Sequence, residues 1–105
     1  MAGLECGVDL VRSPVSREAY LSLLRARDPR IGALIDQGFA FVTNAFRPGQ
    51  APAGIPVPDC DQVAVKLRGD GWQVETATAY DERGQALPQM ASLWRRRPRG
   101  GQAAG

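Results

Sequence analysis

Residues 47–58 read RPGQAPAGIPVP, four prolines and two glycines in twelve positions. Proline has no backbone N–H to give to a helix interior or a paired strand, and it restricts the residue before it. No helix or central strand can therefore cross this stretch, and every regular element must lie wholly before or after it. A chain of 105 residues supports one hydrophobic core and hardly a second. The two portions must then fold together, with 47–58 as an extended, partly polyproline-II surface loop joining them.

Before the loop, residues 7–12 are short, β-branched and bounded by Pro14, and they predict a strand. Ser16 can cap a helix over 16–27, with Glu18 early and Arg25 and Arg27 late, as the helix dipole favours. Tyr20, Leu23, Leu24 and Arg27 fall on one helical face. Asp28 followed by Pro29 starts a second helix over 29–37, ended by Gly38 in the position of a left-handed C-cap. Residues 39–46 (FAFVTNAF) predict a central strand.

After the loop, residues 59–68 admit two readings. As a helix, Asp59 and Gln62 form a capping box and Lys66 and Arg68 close the end; as a strand, Val63, Val65 and Leu67 alternate. The end charges favour the helix. Residues 72–80 alternate as a strand, with Trp72, Val74, Thr76, Thr78 and Tyr80 expected on one side. A turn at 81–84 and a returning strand at 90–95 complete a hairpin. No internal repeat is present.

The fold class expected is α+β: a single compact domain with a three- or four-stranded, mainly antiparallel sheet ending in a hairpin at about 72–96, and two or three helices packed on one face. The domain spans 1–97, and 98–105 form a flexible basic, Gly- and Ala-rich tail. Should 90–95 or 8–12 form a sheet edge, edge pairing would make a homodimer.

Charge is unevenly spread. Trp94 to Gly105 hold Arg95, Arg96, Arg97 and Arg99 and no acid, while residues 1–93 hold nine Lys and Arg against eleven Asp and Glu. A basic end on a mildly acidic body suggests an interaction segment. Twelve arginines against one lysine, with much Ala, Gly and Pro, point to a GC-rich, bacterial source.

Histidine is absent, which removes the commonest general base and metal ligand together with every Ser–His and Cys–His device. Cys6 and Cys60 have no metal or redox spacing. Asp59 and Asp61 make too small a donor set for a hard cation. The Arg68-Gly69-Asp70 tripeptide spells an adhesion motif, but three residues are a very weak signal, and Gly69 or Gly71 is read instead as ending a helix or making a turn. No catalytic residue, metal site or cofactor is expected, and an enzyme is disfavoured. The start lacks a signal peptide's basic n-region, no apolar run spans a bilayer, and a cytoplasmic location is expected.

The leading expectation is a small non-enzymatic interaction or regulatory module that binds another protein or itself, using Pro48, Pro52, Ile55, Pro56 and Val57. The alternative is an accessory nucleic-acid binder, with Trp94, Arg95, Arg96, Arg97 and Arg99 as contacts and Trp72, Tyr80 and Trp94 as a candidate stacking platform. The third is a small-ligand domain or enzyme with an unrecognised carboxylate site.

Overall fold

Three helices and three strands make up residues 16–98, the part that the computed structural model describes. Cys6, the strand expected at 7–12, and residues 99–105 with Arg99 lie outside the described residues.

Helix α1 (Arg17–Arg27) begins where Ser16 Oγ accepts the Ala19 N–H. Asp28 is both its C-cap and the N-cap of α2 (Pro29–Asp36), so the two helices meet at a corner with no loop between them. Strand β1 (Ala40–Phe46) follows. Beyond the proline-rich segment comes α3 (Cys60–Gly69), with the expected capping box: the Gln62 N–H donates to Asp59 Oδ1 at 2.9 Å, and the Asp59 N–H donates to Gln62 Oε1 at 2.8 Å. Strands β2 (Gln73–Tyr80) and β3 (Ala86–Arg96) form the hairpin.

The sheet order is β1-β3-β2, antiparallel throughout, with β3 in the centre. Residues 91–95 are thus paired on both sides and offer no edge for dimerisation. Among the described residues the outer strands are β1 and β2, and both are partly covered. Arg68 donates to Val74 O at 3.1 Å and Arg30 to Thr76 O at 2.9 Å on β2, while Arg17 donates to Phe41 O at 2.9 Å on β1. Arginine side chains there occupy carbonyls that an incoming strand would need.

Strand β3 starts four residues earlier than expected, despite Pro88. A large bulge explains this. Thr78 pairs with Ala91 but Tyr80 pairs with Ala86, so residues 87–90 of β3 stand against a single residue of β2. On the other side, pairing with β1 begins only around Gln89 and Met90. Pro88 sits where no ladder N–H is required.

Neighbouring residues of a strand point to opposite faces, and Leu93 and Trp94 divide the interior accordingly. Trp94 packs with Leu24, Ile31, Leu34 and Phe39 beneath α1 and α2. Leu93 packs with Ala45, Cys60, Ala64 and Val74 beneath α3. Two helices therefore share one face, and the third covers the other. The Thr78/Tyr80 bulge also corrects the expected alternation: Val74 and Trp72 join the α3 core, whereas Tyr80 joins the α1–α2 core.

Tyr80 locks that second position. Its hydroxyl donates to Asp28 Oδ2 at 2.8 Å, and its carbonyl accepts from the Tyr20 hydroxyl at 2.5 Å. Burial first, then the bond to Asp28, raises the Tyr80 phenol above its ordinary value, and burial likewise raises Tyr20. At the hairpin turn, Asp81 Oδ1 accepts the N–H groups of Gln85 and Arg83, which lowers its carboxyl. The turn is held against α1 by Arg27, whose Nε donates to Gly84 O at 2.8 Å.

Candidate functional site

Helices α2 and α3 end in the same way. Gly38 and Gly71 follow the C-caps Gln37 and Asp70, with φ of 92° and 98°. That left-handed conformation suits a residue without Cβ. In each case the glycine N–H and the next N–H return to helix carbonyls: Gly38 to Ile35 and Phe39 to Leu34, Gly71 to Arg68 and Trp72 to Leu67. These are the paired bonds of a left-handed C-cap, in which the residue after the glycine packs back on the last turn. That residue is aromatic both times. Phe39 and Trp72 thus stand at the same end of the sheet but belong to the cores on its opposite faces.

The end of β3 runs between them. The Arg96 guanidinium lies 4.5 Å from the Phe39 ring centroid, while Arg95 and Arg97 lie 4.1 and 3.7 Å from the Trp72 centroid. Alternation along the strand sends Arg96 one way and its two neighbours the other. Arg96 is tied down further: its Nε donates to Gln73 Oε1 at 2.7 Å and its NH1 donates to Gln37 O. Arg95 and Arg97 make no ion pair or side-chain hydrogen bond among the described residues; the ion pairs there are Arg25–Asp36 and Arg30–Glu75. A shallow groove of about 420 Å³ crosses this end, lined by Gln37, Phe39, Arg68, Trp72, Gln73 and Arg96 among others.

The arginines expected to act together are thus divided between two faces, and Arg99 is outside the described residues. Trp94 requires correction. It is 0% exposed, and its indole N–H donates to Ser92 Oγ at 2.8 Å, which itself donates to Thr78 O. Its polar atom is satisfied and its ring faces are packed, so it cannot meet a base here. Trp72, Tyr80 and Trp94 form no common platform: Trp94 and Tyr80 belong to the α1–α2 core and Trp72 to the α3 core on the other face. Trp72 is the aromatic residue that partly faces solvent among the arginines.

The proline-rich loop has more form than an extended arm. The Gln50 N–H donates to Arg47 O at 2.9 Å and the Ile55 N–H to Pro52 O at 3.2 Å, closing two turns. Pro48 at the second position of the first presets its φ. Pro48, Pro52, Ile55, Pro56 and Val57 are all exposed. Cys60 is buried, and burial, then the nearby Asp61, raises its thiol. Asp59 is used in capping, and no group of three or more Cys, Asp and Glu side chains suited to a metal occurs among the described residues. No helix among them is long and apolar enough to cross a membrane.

No family model, curated protein or solved structure matches the chain.

Proposed function

We propose that the chain is a small non-enzymatic module that binds another protein through the 47–58 loop and the outer side of α3. One observation carries this reading. Among the described residues the exposed large hydrophobic side chains are Ile55, Val57 and Val65, at 47%, 43% and 67% exposure, and all fall within one short segment of chain. Scattered apolar exposure is ordinary on any surface, but its concentration on a loop and the helix it feeds is a feature of contact surfaces.

The loop's construction supports the reading. Its two turns and the restricted φ of Pro52, Pro56 and Pro58 leave less conformational entropy to lose on docking. A partner with a shallow apolar groove fits Ile55 and Val57, and basic residues on its rim would face Asp59 and Asp61.

An Ile55→Asp/Val57→Asp double variant should keep its thermal midpoint and lose its cross-linked protein partner in cells. Deleting 52–56 should do the same. If the deletion abolishes folding, the loop is structural and the reading fails. Sedimentation of the isolated chain separates a second copy from a foreign partner.

A further inference from the structure

We propose that Trp72, Arg95 and Arg97 form a binding site for two successive phosphates and a base of single-stranded nucleic acid. The site is independent of the protein-contact surface above, and it differs from a simple basic tail.

The geometry begins with the stack. The Arg97 and Arg95 guanidinium carbons lie over the indole at 3.7 and 4.1 Å from its centroid, within the range of a cation–π contact. Stacking orders two side chains that on an open surface would sample many rotamers. It uses the inner face of each guanidinium and leaves the in-plane N–H groups free. No described residue satisfies those donors.

The guanidinium carbons are each about 4 Å from one ring centroid, so they lie within about 8 Å of each other. With charge-assisted N···O bonds of about 2.7–2.9 Å, each guanidinium can donate to its own phosphate, so the pair can hold two successive phosphates of one strand. The outer face of each guanidinium remains flat and open to a base, which extends the order indole, guanidinium, base. A duplex base is already stacked on both sides, so the site suits a single strand. Arg96 takes no part, because its Nε and NH1 are committed to Gln73 and Gln37.

A phosphorylated peptide would use the donors but not the stacking faces. Arginine in place of lysine therefore matters here, and a charge-conserving exchange separates stacking from simple attraction.

The test uses the full chain and a fluorescent single-stranded oligonucleotide of about 12 nucleotides, a length within the range one small domain covers. Arg95→Gln/Arg97→Gln should weaken binding at least tenfold with an unchanged melting curve. The slope of log K against log salt should flatten by roughly 1.4, the value for two single-strand phosphate contacts. Arg95→Lys/Arg97→Lys should weaken binding at least fivefold, although both charges remain. Adenosine monophosphate should compete better than inorganic phosphate. Trp72→Ala should match the Gln pair; if it fails to fold, the arginine variants still decide, since they remove no core atom. Wild-type affinity in the Lys pair, equal competition by phosphate and the mononucleotide, or tighter binding of a phosphoserine peptide would each overturn the proposal.

Discussion

The Phe39 and Trp72 corners are built alike and used differently. Each is a helix ended by a left-handed glycine, an aromatic residue folded back on the last turn, and an arginine from β3 over the ring. At Phe39 the ring is 7% exposed and its arginine is hydrogen-bonded. At Trp72 the ring is half-buried and its two arginines have no polar partner among the described residues. The helix end fixes where an aromatic residue stands. Whether that place is interior or available is decided by what the next strand brings to it.

The largest expected difference lies in the rings themselves. Phe39→Ala empties a core position and should cost about 3–5 kcal/mol, whereas Trp72→Ala removes a partly solvated ring and should cost roughly 2 kcal/mol. Urea unfolding of both variants measures the gap; equal losses would erase the distinction between the corners.

The glycines should behave as equals. A Cβ on Gly38 meets nothing within 4 Å, and one on Gly71 meets only the Arg97 NH1 at 3.9 Å. Only the left-handed backbone then opposes Gly38→Ala and Gly71→Ala, at about 1–2 kcal/mol each. A strongly unequal pair would mean that the two helix ends are not one device.

The arginines should differ again. Arg96→Gln loses a ring contact and bonds to Gln73 and Gln37, and should cost about 1 kcal/mol. Arg95→Gln and Arg97→Gln should each stay within about 0.5 kcal/mol. The reverse order would make the Trp72 stack a structural element and remove the reason for reading it as a site.

Local signals were legible in the sequence. Ser16, Asp28 and Asp59 cap their helices as their neighbours imply, and Gly38 ends α2, because a cap depends on residues within one turn. The hairpin and the α+β class follow from the same short-range patterns. The division of the sheet into two covered faces was not legible. Strict alternation put Trp72 and Tyr80 together, but the bulge after Thr78 separates them, and a bulge is chosen by packing across strands. For Trp94 the sequence offers both a core position and a contact beside three arginines, and only its place on the middle strand, paired on both sides, decides for the core. The pairing of Arg95 and Arg97 with Trp72 also depends on β3 ending beside the end of α3. A glycine followed by an aromatic residue after each helix, 38–39 and 71–72, was the signal available, and only its recurrence gave it meaning.

The two faces should also separate under alkali. Tyr20 and Tyr80 lie on the Phe39 side and Cys60 on the Trp72 side, and all three have raised values with burial as the leading cause. In the unfolded chain a thiol ionises near pH 8.5 and a phenol near pH 10, roughly. An acid whose folded value is raised holds its proton longer when folded. Its contribution is complete below the unfolded value and is lost as pH rises through the folded one. Stability should therefore fall first above about pH 8.5, where the unfolded Cys60 thiol begins to ionise, and more steeply above about pH 10, where the phenols follow. Cys60→Ala should flatten the first part alone. Tyr80→Phe should flatten the second part, at the cost of the bond to Asp28 at every lower pH. Chemical denaturation across this range, with both variants, resolves the steps. A single fall shared by both variants would show that these groups do not titrate as two separately packed sets.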